Sequence, residues 1–301
     1  MSDVLITGGA GLVGSCINFG KKPTKKDLNI LDLNSLYEFI EKNNIKKIIH
    51  CAARVGGVKA NNDLTFDFFY DNILMNINIL KSIEKYNIIK CIQILSTCIF
   101  PENASLPLKE THIHNGEPHF TNFGYAYAKR MLEVGSRALK KQKGNKYCCL
   151  IPTNIYGKND NYNLESSHVI PALIHKCYLA KINNTKFEVW GSGKPEREFI
   201  FAEDFAKIIS HFVSKEDLPG MVIVSNGISI RIDEIVGEIV KIMKFKGKVI
   251  FDSSKPEGIH KKPTDTTLFK TIMPEFKFTP LNEGLDYTIE YFIKNYNTIR
   301  K

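Results

Sequence analysis

Four side chains carry the most chemistry in this sequence: Ser96, Cys98, Tyr125 and Lys129. Tyr125 and Lys129 stand four residues apart, which on a helix stacks a phenol and an ammonium one turn apart on one face. An ammonium there favours phenolate over phenol and draws a group of ordinary pKa about 10 toward working pH. Upstream, Gln93-Ile94-Leu95-Ser96-Thr97-Cys98 reads as a buried strand ending in a hydroxyl and a thiol. A strand end facing a Tyr/Lys helix is a place for proton transfer. By itself the Tyr/Lys pair is more often an ordinary solvated helix face, and a lone cysteine a small buried hydrophobe.

The elements that would position these groups begin at the start of the chain. Val4-Leu5-Ile6-Thr7 is an apolar strand running into Gly8, Gly9, Ala10, Gly11, Leu12, Val13 and Gly14. Glycines at 8, 11 and 14 suit a tight turn, a close backbone approach to a pyrophosphate, and close packing of a following helix on the sheet. Strand before and apolar residues after favour a dinucleotide turn. The next stretch is short: after Ser15–Phe19 the chain breaks at Gly20-Lys21-Lys22-Pro23, too soon for the usual crossover of about a dozen residues. Either the first helix is stunted, or the second strand is absent or displaced. The lysines that follow, Lys25 and Lys26 among them, are a solvated loop or the contact to an adenosine 2′-phosphate.

Periodicity predicts a helix from Leu33 to Asn43, a buried strand at Lys47–Cys51, and a small-residue turn at Ala52–Gly57 that would let a cofactor lie across the sheet edge. His50 reads as a core histidine. A long helix from Phe66 to Tyr86 follows, with Ile73, Ile77, Leu80 and Ile83 on its inner side. A strand at Cys91–Leu95, a helix at Tyr125–Lys140 and a strand at Tyr147–Ile151 complete an α/β, doubly wound parallel sheet. Beyond Pro152-Thr153-Asn154 the loops lengthen. Short strands near 187–190, 199–201 and 222–225 and helices at 172–180, 232–243 and 281–295 predict a smaller mixed α/β lobe. The expected division is 1–154 and 155–301, with some exchange of elements.

The chain has 301 residues, 43% hydrophobic and 24% charged, with a formal charge of +9. That balance suits an anionic small molecule; no motif supports nucleic acid. Seven cysteines with no C-x-x-C argue for reduced thiols rather than disulfides or zinc. No apolar run reaches membrane-spanning length. A start directly on a strand leaves no room for a signal peptide, so a cytoplasmic protein with no membrane partner and no metal is expected.

Taken in order, the glycine turn, Ser96-Thr97-Cys98, Tyr125-x-x-x-Lys129, Pro152-Thr153-Asn154-Ile155-Tyr156-Gly157 and Ser167-His168-Val169-Ile170-Pro171 resemble the extended short-chain dehydrogenases/reductases. Val55-Gly56-Gly57 with Asn61-Asn62, and Val189-Trp190-Gly191-Ser192-Gly193 with Arg197-Glu198-Phe199, make the chain similar to the GDP-L-fucose synthase family within them. The resemblance implies a Rossmann domain binding NADP(H), a GDP-linked 4-keto-6-deoxy sugar as substrate, epimerisation at C3 and C5 with reduction at C4, and a homodimer through the 66–86 and 125–140 helices. It implies hydride-step roles for Tyr125, Lys129 and Ser96, and acid–base roles for Cys98 as base and His168 as acid. Leu95, Thr97, Pro152, Asn154, Ile155 and His168 would join the cofactor contacts. Lys176, Trp190, Arg197, and Lys262 or Asp265 would hold the GDP-sugar; Trp190 reads equally as a core aromatic. The chain departs from the family at residues 15–31, where relatives carry a full helix and strand, and at Lys158-Asn159, where Pro-His is usual.

Overall fold

A computed structural model describes residues 2–255 and 259–301. In chain order the elements are β1 (Val4–Thr7), α1 (Leu33–Lys42), β2 (Lys47–His50), α2 (Val58–Asp63), α3 (Thr65–Lys85), β3 (Lys90–Ile94), α4 (Phe123–Lys143), β4 (Lys146–Pro152) and β5 (Asn154–Tyr156). Then come α5 (Val169–Ile182), β6 (Phe187–Trp190), β7 (Glu196–Phe201), α6 (Ala202–Ser214), β8 (Met221–Val224), β9 (Ser229–Arg231), α7 (Ile232–Ile242), β10 (Val249–Asp252), α8 (Thr267–Ile272) and α9 (Leu281–Lys294).

Five strands form a parallel sheet in the order β1-β2-β3-β4-β8. Alternation along β1 sends Val4 and Ile6 to one face and Leu5 to the other. The first face packs on Phe205, Ile208, Ile209 and Phe212 of α6, the second on Leu36 and Ile40 of α1 and Ile79 and Ile83 of α3. Each such side chain, fully buried, contributes about 1.5–3 kcal/mol. A parallel sheet covered on both faces is the doubly wound arrangement expected. Both α6 and β8 come from beyond residue 154, so the chain returns to the first sheet after building part of the second lobe. That lobe holds the β5-β7-β9 and β6-β10 sheets around a core of α5, α7 and α9.

At the front of the chain the first helix is reduced to a single 3-10 turn, Gly14–Cys16. The second strand is displaced and shrunk to one bridge: Lys21 donates to the Val4 carbonyl at 2.8 Å and accepts from the Ile6 amide at 2.9 Å. Three contacts brace this remnant. Lys22 reaches the Ser15 carbonyl at 3.3 Å, Asn159 donates to the Ser15 hydroxyl at 3.1 Å, and Tyr291 of α9 donates to Asn159 at 2.6 Å.

The inner face of α3 differs from the periodic expectation. Ile77 is exposed, and Phe68, Asn72, Met75, Asn76, Asn78, Ile79 and Ile83 point inward. The asparagines are there to bond: Asn72 to the Arg54 backbone, Asn76 to His50 and the Ala128 carbonyl, Asn78 to the Ile30 carbonyl. Hydropathy alone cannot assign a satisfied buried amide to the core side.

Candidate active site

Parallel strands put the ends of β1, β2, β3 and β4 on one edge, the edge where open α/β sheets take ligands. The glycine turn follows β1 there. Gly8 has φ +67°, and a Cβ on it would come within 2.8 Å of the Ala52 amide nitrogen. A Cβ on Gly14 would collide with the Gly8 carbonyl oxygen, and one on Gly9 would meet the Lys22 Cβ at 2.5 Å. The turn therefore keeps its close-approach geometry although the helix behind it is nearly gone. Lys25 and Lys26 are exposed on the loop beyond, whereas Lys22 packs directly against the turn. Lys22 belongs to the lysine run legible in the sequence, but only the fold singles it out.

Beside the turn, His50 is buried and bonded on both ring nitrogens: it accepts from the Thr7 hydroxyl at 2.8 Å and donates to Asn76 at 3.1 Å. Burial holds its pKa down at about 3, so it is a neutral spacer, as its apolar run implied.

Ser96 ends the strand segment after β3, and its hydroxyl accepts from the Cys98 amide at 3.4 Å, starting the 3-10 turn Thr97–Ile99. The turn is held from behind by Arg130 of α4, which donates to the carbonyls of Ile99 and Gly116, both at 2.7 Å. Also on α4, Lys129 is 2% exposed, donates to the Ile94 carbonyl at 2.8 Å, and lies 5.8 Å from the centre of the Tyr125 ring. Burial lowers its pKa to about 8, against the pull of Cys98, Cys51 and Cys149. The expected lowering of Tyr125 is not seen. Burial pushes this phenol well above its ordinary range, with Cys98 adding to the effect. The lysine spends its near N–H on a backbone carbonyl rather than on the phenol. Burial likewise raises the Cys98 thiol; the Ser96 hydroxyl and the charges of Lys262 and Lys129 oppose it.

His168 immediately precedes α5. The loop leading to it docks on the turn after β2: the Gly57 amide donates to the Ser166 carbonyl at 2.9 Å, and a Cβ on Gly57 would sit 2.7 Å from the Ser167 carbonyl oxygen. Asn61 closes that turn by donating to the carbonyls of Gly56 and Gly57. Desolvation lowers the His168 pKa, with Arg300 second, an effect limited by the water that still reaches this exposed ring.

Around these groups lie the remaining expected contacts. Leu95 is buried and donates to the Leu150 carbonyl, Thr97 opens the 3-10 turn, Pro152 ends β4, and Asn154 donates to the Glu198 carbonyl at 2.9 Å beside Ile155. Farther out, Lys176 of α5 holds its ammonium 4.2 Å over the Trp190 ring, and Lys255 lies 6.0 Å from it. Trp190 is 45% exposed, which removes the core-aromatic reading. Arg197 donates to the carbonyls of Glu196 and Ile259, Lys262 reaches the Thr97 carbonyl at 3.4 Å, and Asp265 accepts from the Thr267 amide and pairs with Lys109. Asp265 is thereby engaged in loop structure. Glu198, which the sequence offers only as part of Arg197-Glu198-Phe199, is a buried carboxylate to which sequence reasoning gave no role of its own.

The residues fit a nicotinamide dinucleotide: a glycine cradle with no room for side chains, next to a buried ammonium with N–H groups beyond the one given to Ile94. Residues 16–224 match the model of the NAD dependent epimerase/dehydratase family. A GDP-L-fucose synthase of Dictyostelium discoideum is 42% identical over 99% of this chain and 97% of its own. A GDP-L-colitose synthase of Yersinia pseudotuberculosis is 32% identical over 98% and 99%. The crystal structure of a GDP-L-fucose synthetase from Naegleria fowleri bound to NADP superposes with a TM-score of 0.91 at 35% identity, covering 100% of this chain and 96% of that one. The chain belongs to the NAD dependent epimerase/dehydratase family, among its GDP-L-fucose synthases.

Proposed function

We propose that this chain epimerises GDP-4-keto-6-deoxy-D-mannose at C3 and C5 and reduces it at C4 with NADPH, forming GDP-L-fucose. The observation that supports this reading is a thiol, Cys98, two residues past the Ser96 that follows β3 and within electrostatic reach of both Tyr125 and Lys129. A simple ketone reductase needs the phenol and the ammonium but has no use for a second proton-transfer group.

Protons at C3 and C5 are acidic because they lie next to the C4 ketone, and inversion needs one group to take each proton and another to return it on the opposite face. Cys98 takes the base role and His168 the acid role. When bound, NADPH supplies the hydride. Tyr125 gives its proton to the developing C4 alkoxide, and its raised pKa keeps that proton on until it is needed. Ser96 donates to the ketone oxygen, and Lys129 holds the cofactor's ribose and stabilises the phenolate left behind. The glycine turn, with Leu95, Thr97, Pro152, Asn154 and Ile155, holds the dinucleotide; Lys25 and Lys26 meet its 2′-phosphate. Lys176, Trp190 and Arg197 take the GDP moiety, with Arg197 suited to a diphosphate by its two-pronged fork. We also place the protein in the cytoplasm, as a homodimer; among the described residues no helix is long and apolar enough to cross a membrane.

Incubation with GDP-linked and UDP-linked 4-keto-6-deoxyhexoses, followed by NADPH loss and product analysis, tests the reading. Turnover with the GDP sugar is expected. Turnover only with a UDP sugar would give the same chemistry on another nucleotide sugar, against the GDP that the names of both relatives carry. No NADPH binding at sub-millimolar concentration would leave a weakened nucleotide-sugar binder, the outcome that the reduced first helix makes worth testing.

A further inference from the structure

Residues 259–266 form a strap across the strand ends, and β7 grips it at both ends. At the start, the Glu196 amide donates to the His260 carbonyl at 2.7 Å, Arg197 donates to the Ile259 carbonyl at 2.6 Å, and Lys261 pairs with Glu196 at 2.6 Å. At the far end Glu198, 3% exposed, accepts from the Thr264 amide at 3.0 Å and from the Thr264 and Ser225 hydroxyls, both at 2.6 Å. From the opposite side Leu108 donates to the Pro263 carbonyl at 2.9 Å and accepts from the Asp265 amide at 2.8 Å. Between the two grips stands Lys262, with its ammonium 3.4 Å from the carbonyl of Thr97, the residue before Cys98.

We propose that Lys262 sets the ionisation of Cys98, and that Glu198 is the positioning residue that keeps Lys262 there. The proposal rests on Cys98 being the proton acceptor of the reaction. The thiolate takes a proton from the carbon beside the ketone; the electron pair of that C–H bond passes into the enolate, and the sulfur keeps the proton as thiol. A buried thiol needs a nearby cation to reach its thiolate.

Among the described residues, four charged or titratable groups bear on Cys98: Lys262, Lys129, Tyr125 and Arg130. Arg130 is spent on the Ile99 and Gly116 carbonyls, and Lys129 donates to Ile94 beneath Tyr125. Tyr125 is neutral at working pH. Lys262 is the cation brought to the thiol by a separate segment, and of the two lysines it lowers the thiol more. It is also largely desolvated, which strengthens its field at short range. A lone exposed lysine would need no such strap. Glu198 is satisfied by three donors on two segments, so removing its charge frees Thr264 and loosens the arc that carries Lys262.

The ionisation of Cys98 can be read without substrate or cofactor, from its alkylation by iodoacetamide across about pH 6–10, with peptide mapping to separate it from the other cysteines. In the full chain, Lys262→Met is expected to raise the midpoint by about one unit, roughly tenfold slower alkylation at neutral pH, with a smaller change in KM than in kcat. An unchanged profile with a raised KM would make Lys262 a substrate ligand only and overturn the proposal. Glu198→Gln is expected to shift the profile in the same direction, and the double variant no further. Additive shifts, or none from Glu198→Gln, would overturn its positioning role. If Glu198→Gln fails to fold, Thr264→Val removes one hydroxyl donor and is held to the same comparison, a smaller shift upward. Wild-type protein that alkylates as expected but does not epimerise would sink the functional reading and leave the ionisation result standing.

Discussion

Cys98 and Tyr125 both sit where burial raises their pKa, with different consequences for the two kinds of step. For the phenol a raised pKa is the useful direction, since reduction calls on it as a donor. For the thiol it is a cost, which Lys262 and Lys129 offset in part. Thiol with neutral imidazole holds as many protons as thiolate with imidazolium, so Cys98 and His168 can reach their working forms without net uptake. This separation predicts distinct defects. Tyr125→Phe is expected to lower NADPH oxidation by about 10²–10⁴-fold, the usual range for a lost acid, while solvent deuterium still enters C3 and C5 by mass spectrometry. Cys98→Ser is expected to slow deuterium entry by a similar factor and to leave NADPH binding within about twofold. Loss of both activities in Tyr125→Phe would contradict the division. At this scale much was legible: Tyr125 and Lys129 announce themselves by spacing. The direction of the Tyr125 shift was not, because burial sets it and Cys98 adds to it, and both come from how α4 packs on the strand ends rather than from spacing along α4.

At the scale of elements, the weak place is the front of the chain. A full first helix would cover the sheet and present its dipole to a pyrophosphate; here a 3-10 turn, a one-residue bridge and three side-chain bonds stand in its place. Tyr291→Phe deletes one of those bonds without changing shape. It is expected to destabilise the protein by about 1 kcal/mol, seen as a melting temperature lower by a few degrees, with a weaker NADPH complex in a fluorescence titration. Unchanged melting and binding would show that the bond braces nothing. The shortage of residues between Phe19 and Pro23 made the stunted helix legible from sequence. Its remedy was not, since Asn159 and Tyr291 lie far along the chain and look like ordinary loop and helix-surface residues. The same limit hid Glu198, whose partners Ser225 and Thr264 are joined to it only by the fold. It also misplaced Ile77, because inward asparagines displace the apolar stripe of α3.

For the whole molecule, that displaced stripe bears on the proposed homodimer. Phe66, Tyr70 and Ile77 of α3 and Phe123 and Met131 of α4 are all exposed large hydrophobics on two helices packed together. Phe66→Glu with Ile77→Glu is expected to convert a dimer to a monomer by light scattering; an unchanged mass would move the interface elsewhere. Stability should respond to pH through two buried groups of opposite sign. Burial pushes Asp160 up to about 7, with Oδ2 lacking a hydrogen-bond partner among the described residues. The folded chain keeps a proton that the unfolded chain has lost, so this contribution is full below the ordinary 3.8 and is lost as pH rises through 7. His50, held down at about 3, contributes above 6.5 and loses that contribution as pH falls through 3. The two slopes oppose each other between about pH 4 and 6.5. Asp160→Asn removes only the first: its melting temperature is expected a few degrees above wild type near pH 8, with the gap narrowing as pH falls and closing near pH 4. A variant less stable at both would mean that the carboxylate has a partner in solution.

The Ser15–Asn159–Tyr291 line ties the two ends of the polypeptide together through a third segment. In a fold with a full first helix the nucleotide turn is anchored locally; here its footing is α9, the last helix. Occupancy of the turn and order in α9 then share one free energy, and each must feel the other equally. Adding NADPH should slow amide hydrogen exchange in residues 281–294 as well as in the glycine turn, and Tyr291→Phe should confine the slowing to the turn. Truncations or fusions at the carboxyl end would then act as changes in cofactor affinity.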